Sequence, residues 1–152
     1  MPPTRELALR LAAAFVLGTL AGVERQWHHK HAGVRTHTLV AVGAATFTLV
    51  SMALSGPTTS MVIAAGVVTG IGFIGGGVIM HQGAAVQGIN TAATLWTTAS
   101  IGLAAGAGYY ELMLLVFAVL IVVQFPLARV ERWIDRHAAR SARYTEGSDS
   151  SR

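Results

Sequence analysis

The sequence predicts an all-α polytopic membrane protein, a five-span helical bundle followed by a short amphipathic C-terminal helix. Two observations carry that prediction. Charged residues are 12% of the 152, about half the ~25% usual for soluble proteins, and between Thr36 and Ala128 the only charged side chain is Glu111. No soluble fold exposes that much surface without charge, which excludes a solvated globule, a fibre or a disordered chain. The apolar residues, 53% of the total, are also cut by polar or glycine-containing turns into lengths that suit a hydrocarbon core of ~30 Å.

The first span covers Leu7 to Val23, apolar apart from Arg10, which follows Glu6 by four residues and lies near enough to the end to snorkel. Thr4 is its candidate cap. The weak basic start and the Glu24-Arg25 ending mark a retained span rather than a cleaved signal peptide. Span 2 runs from about Thr38 to Leu54 and stops at Ser55-Gly56-Pro57. Span 3, Met61 to Met80, is glycine-rich, and a polar break at His81 to Gly88 separates it from span 4, Asn90 to Ala107. After the turn Gly106 to Glu111, span 5 runs from Leu112 to Leu127. Several spans fall short of ~20 residues, and their polar flanks supply the missing turns. In the tail, Val130, Trp133, Ile134, His137 and Ala138 recur at helical spacing while Arg132, Arg136, Arg140 and Arg143 fall mostly on other faces, the pattern of an interfacial helix, with a plain continuation of span 5 into water as the alternative. The expected organisation is therefore 1–128 for the transmembrane domain, 129–144 for the juxtamembrane helix and 145–152 for a disordered tail, with no large soluble domain following.

The net charge of +4 gathers in the segments flanking the apolar ones. With the N-terminus outside, Arg25, Lys30, Arg35, Arg129, Arg132, Arg136, Arg140 and Arg143 all face the cytoplasm, so the positive-inside rule favours N-out and C-in. The partner implied is the lipid bilayer. A basic stripe suited to nucleic acid is missing, and the absence of cysteine excludes disulfides and thiolate chemistry.

Gly70-Ile71-Gly72-Phe73-Ile74-Gly75 has the form GxGxxG, but the preceding soluble strand and following acid of a dinucleotide site are missing. Two readings of these glycines stand: close helix packing, with Gly66 and Gly70 as one small-xxx-small pair beside Gly18 with Gly22 and Gly102 with Gly106, or a helix broken or bent, midway or late in its length, at Gly75-Gly76-Gly77 with carbonyls lining a cavity. Glu24, Arg25 and Arg35 bracket the first cytoplasmic loop, either as solvated surface charges or as a carboxylate gripped by an arginine in the mouth of the bundle. Asn90 can cap span 4, and Thr91, Thr94 and Thr98 share one of its faces. His28, His29, His31 and His37 lie beside Lys30 and Trp27, which look like a surface belt, so the histidines are given no chemistry and no metal site or cofactor is assigned. No nucleophile triad, paired carboxylate or phosphate loop is present, which argues against an enzyme.

These residues carry a resemblance. Gly22-Val23-Glu24-Arg25 with Ala32-Gly33-Val34-Arg35-Thr36-His37-Thr38-Leu39-Val40 resembles the first motif of the MgtC/SapB family of bacterial inner-membrane proteins. Gly70 to Ile79 resembles its central motif, and Gly88-Ile89-Asn90-Thr91-Ala92-Ala93-Thr94-Leu95-Trp96 its third. The resemblance implies five spans, a link to magnesium limitation and, for some members, restraint of the proton-translocating ATP synthase. Two departures accompany it: the triple glycine where the family often has Gly-Ala-Gly, and the expectation that the soluble C-terminal domain of many virulence-type members does not follow the fifth span here.

The functional expectation is a non-enzymatic inner-membrane protein that modulates a membrane complex or ion homeostasis through one cytoplasm-facing polar vestibule, formed by Glu24, Arg25, Arg35, Thr36, Gly75, Gly76, Gly77, Asn90, Thr91 and Thr94. A small cation or solute transporter or channel is the alternative. A homodimer is expected, with the ridges of Gly18, Gly22, Gly102 and Gly106 as the contact.

Overall fold

The computed structural model describes residues 2–54, 57–82, 85–131, 133, 134 and 136–138. It is an all-α bundle of five helices: α1 Thr4–Trp27, α2 Val34–Leu54, α3 Pro57–Gly77, α4 Ile89–Ala107 and α5 Tyr110–Val122. The chain forms two compact units, Met1–Leu120 and Ile121–Arg152. Three stretches are long and apolar enough to cross a membrane, Thr4–Trp27, Val34–Leu54 and Tyr110–Ala138. In α3 the apolar stretch is the shorter Met61–Gly77. Helix α4 is set apart by Asn90, four threonines and Ser100, yet it need not be apolar throughout, because its polar Thr91, Thr94 and Thr98 are buried against neighbouring helices.

Small residues build the centre. Ala14, Leu17 and Ala21 of α1, Ala41 and Ala45 of α2, and Ile101 and Ala105 of α4 form one buried cluster. Lipid tails leave little hydrophobic gain for helix association, so the contact rests on van der Waals fit, which requires close backbones. Gly102 shows how close. A β-carbon there would lie 2.2 Å from the Ala41 carbonyl oxygen. The expected dimer ridges are consumed in the same way: Gly18 and Gly22 press on Ala41 and Val34, and Gly106 presses on Ala45. These four glycines join helices of one chain and are not available to a second copy. The Gly66–Gly70 pair departs from expectation in the opposite sense, since a β-carbon at either would meet nothing within 4 Å.

Two local expectations are corrected and a third is narrowed. Helix α1 is preceded by Pro3 with no side-chain cap, so Thr4 is its first residue rather than its cap. Helix α3 runs unbroken to Gly77, where it ends in a tighter turn through Val78 N–H to Gly75 O and Ile79 N–H to Gly76 O, each at 3.2 Å; of the breaks or bends expected midway or late in the span, the triple glycine makes the late one, by ending the helix. The polar break beyond is a small antiparallel hairpin, β1 Met80–Gln82 with β2 Ala85–Gln87, in the register Met80↔Gln87, His81↔Val86 and Gln82↔Ala85. It leads into Gly88, at φ 93°, which precedes α4. Only glycine takes that conformation cheaply, and a β-carbon would also sit 1.9 Å from the Val78 carbonyl oxygen. Asn90 is therefore the second residue of α4 and does not cap it.

In the second unit the helix widens to a π turn over Val123–Leu127, with Pro126 inside it. Proline has no N–H to give to the fourth preceding carbonyl, and a wider turn accommodates that loss. Beyond it, residues 128–131, 133, 134 and 136–138 are helical, with Trp133 exposed and His137 Nδ1 2.8 Å from the Trp133 carbonyl. The remainder of the expected 129–144 helix and the whole 145–152 tail lie outside the described residues.

Candidate functional site

The buried face of α1 reads Ala14, Leu17, Gly18, Ala21, Gly22 and Arg25. Its last member is the unusual one. Arg25 is 3% exposed, and its Nη2 donates to Oγ1 of Thr91 in the first turn of α4. The contact joins the first and third sequence motifs across 66 residues of chain. Beside it, Glu24 Oε1 lies 3.0 Å from His28 Nδ1, one turn further along α1. His37, fully buried in α2, places Nδ1 3.1 Å from the Gly33 carbonyl.

Polar atoms are left over here, as they also are at Ser51 and Gln124. Glu24 Oε2, Arg25 Nε and His37 Nε2 are buried and make no hydrogen bond among the described residues. Unpartnered buried polar atoms are rare in folded proteins and cost ~1 to 3 kcal/mol each. Three of them fall on two neighbouring helices, α1 and α2. Thr94 and Thr98, both buried, instead return their hydroxyls to the carbonyls of Asn90 and Thr94, at 2.7 and 2.9 Å, and so satisfy themselves within their own helix.

The ten residues expected in one vestibule fall into separate places. Glu24, Arg25 and Thr91 gather where α1 meets α4, and Thr94 is buried one turn further along α4. Arg35 and Thr36 line a cleft between α2 and α3; the expected Glu24–Arg35 pair is not formed, because Glu24 bonds its own helical neighbour and Arg35 opens the next helix on the far side of the loop. Gly75 packs on Ala92 of α4, whose Cβ would lie 3.5 Å from an added β-carbon, while Gly76 and Gly77 face open space. Asn90 is exposed.

Two residues escaped the sequence reading. His37, given no role among the four histidines beside Trp27 and Lys30, shares a helical face with Ala41, Ala44 and Ala45, all buried, and that stripe of alanines is the available signal. Arg10 was expected to snorkel into the headgroups. It instead donates from Nε to Glu6 Oε1 at 3.0 Å and from Nη1 to the Gly106 carbonyl at 2.8 Å, where its charge complements the C-terminal end of α4. Tyr110 Oη donates to the same Glu6 oxygen at 3.2 Å. Arginines fifteen residues apart on α1 thus hold points fifteen residues apart on α4, in antiparallel order. Tyr110→Phe is expected to lower stability by about 1 kcal/mol, read as a fall in melting temperature in detergent.

Among the described residues no group of three or more His, Cys, Asp or Glu could hold a metal ion. The arrangement brings a buried cation, a carboxylate and hydroxyls together without a nucleophile or a general base placed against one. A family model, that of the MgtC family, matches residues 11–133. The chain belongs to the MgtC family. Protein MgtC of Salmonella typhimurium is 54% identical over 103 residues, 68% of this chain and 44% of its own length. Protein MgtC of Brucella abortus is 53% identical over 106 residues, 70% and 44%, and an uncharacterized protein of Synechocystis is 43% identical over 136 residues, 90% and 58%. The chain spans about half the length of the curated relatives it matches. No solved structure matches it. With its long apolar helices, this MgtC-family chain is a multi-pass membrane protein.

Proposed function

We propose that this MgtC-family protein is a regulator in the inner membrane, acting on another membrane complex or on ion homeostasis under magnesium limitation, through the polar region around Arg25, Thr91, Glu24 and His37. The observation that carries this reading is the set of three buried, unpartnered polar atoms at Glu24, Arg25 and His37. A purely structural bundle gains nothing from them, whereas a surface that exchanges contacts with a partner does. The partner class is a membrane complex, and the family resemblance implies the proton-translocating ATP synthase.

The reading includes five spans with the N-terminus outside and the C-terminus inside. It is supported by the antiparallel contacts of α1 with α4, which fit an even number of crossings between the end of α1 and the start of α4, and by the eight basic residues of the sequence that this orientation would bring to the cytoplasmic side. A reporter active only outside the cytoplasm is expected to give no signal when fused at Arg152 and a strong one within residues 55–60. The reverse pattern would remove the topology.

The functional test separates a regulator from a transporter. Proteoliposomes of the purified chain under a magnesium gradient are expected to show no ion flux above protein-free vesicles. In a strain lacking the gene, the wild type and not Thr91→Val is expected to restore growth at low magnesium. A flux abolished by Thr91→Val would replace regulation with transport.

A further inference from the structure

Helices α2 and α3 diverge enough to leave a cleft of about 1020 Å³, lined by Arg35, Thr36, Gly43 and Phe47 from one side and by Gly66 and Gly70 from the other. Apart from Arg35 and Thr36 its lining is apolar. The three glycines form a floor on which an added β-carbon would meet nothing within 4 Å, so the cleft is space that the fold leaves open. From Arg35 to Phe47 it extends twelve residues along α2, or ~18 Å at 1.5 Å per residue. One leaflet contributes ~15 Å of a ~30 Å hydrocarbon core. The cleft is thus one leaflet deep.

Polarity is confined to one end. Arg35 is exposed and makes no hydrogen bond or ion pair among the described residues, and it lies in the first turn of α2, where the helix dipole is positive. Everything below it is apolar. We infer that this cleft is a binding site for an anionic phospholipid, with the phosphate of the headgroup on Arg35 and an acyl chain along the glycine floor. A lipid shares the one-ended polarity of the cleft: a single anionic head and a hydrocarbon tail of leaflet length. A transmembrane helix does not, since it brings polar groups to both ends and needs a partner for each. The inference is independent of the region around Arg25, whose residues do not line the cleft.

Native mass spectrometry of the full-length protein, released from detergent with phosphatidylglycerol or phosphatidylcholine added, tests the site. One phosphatidylglycerol is expected to be retained at least fivefold better than phosphatidylcholine. Arg35→Gln is expected to remove that preference. Lys30→Gln, which changes an exposed basic residue of the same loop outside the cleft, is expected to leave it intact. Gly66→Leu fills the floor and is expected to lower retention of both lipids at least fivefold. Equal loss with Lys30→Gln and Arg35→Gln would mean diffuse surface charge and overturn the site, as would unchanged retention in Gly66→Leu. A mass shift of the wild type to a dimer that excludes lipid, reversed by Gly66→Leu, would assign the cleft to a second copy instead. Should Gly66→Leu misfold, the comparison of Arg35→Gln with Lys30→Gln still decides, because both positions are exposed.

Discussion

Arg25→Met is expected to lower the unfolding free energy in detergent by about 3 to 5 kcal/mol, the range found when one member of a buried charged set is removed. The side chain it replaces is almost fully enclosed, donates to Thr91 of α4 and adjoins Glu24, whose Oε2 is already buried without a partner. Taking away the cation strands that carboxylate. Glu24→Gln in the Arg25→Met background is therefore expected to recover part of the loss, giving a double variant more stable than the sum of the single effects allows. Arg25→Lys keeps the charge but replaces the planar fork with a point donor, and is expected to fall between the two. Denaturant titration of the purified protein, followed by tryptophan fluorescence, measures all four. Additive effects below 1 kcal/mol would make Arg25 an ordinary surface charge, contrary to its burial.

Gly102→Ala is expected to cost about 2 to 3 kcal/mol, although alanine is the better helix former. Its β-carbon would be driven to within 2.2 Å of the Ala41 carbonyl oxygen and 2.9 Å of the Ala44 β-carbon. Neither can yield without separating α2 from α4. Gly66→Ala is the matched control: nothing lies within 4 Å of its β-carbon, and the substitution is expected to stabilise by about 0.5 to 1 kcal/mol. Melting temperatures of the two variants should move in opposite directions. The same movement in both would show that glycine content alone, and not position, sets the response.

Hydropathy and turn residues located all five helices, because a helix that meets lipid must be apolar over a length that the bilayer dictates. The motifs at Glu24-Arg25 and Thr91 were equally visible, and Thr91, Thr94 and Thr98 proved to share a buried face. What the sequence did not disclose was pairing. Glu24 has an arginine next to it and another across a short loop, yet its helical neighbour one turn on is His28, and local spacing won. The glycines at 18, 22, 102 and 106 announced close packing without saying whether the facing helix belonged to this chain or to another. Arg10 had the same ambiguity, since a snorkelling arginine and one that reaches a helix end occupy the same sequence position. The hairpin at 80–87 is too short for any alternation to register.

The arginines at either end of the α1–α4 contact also bear on how this protein can move. Sliding one helix past another by a single turn, ~5.4 Å, is a common structural transition. Here such a slip would break the bond from Arg25 to Thr91 and the bond from Arg10 to Gly106 in the same step, and the glycine notches between them would lose their seats against α2. The register of the two helices is therefore locked at two distant points, like a rod held by both ends. Helix α3 carries no such lock; of its described residues only Ile71 and Gly75 are buried. A change of register between α1 and α4 has to break both bonds at once.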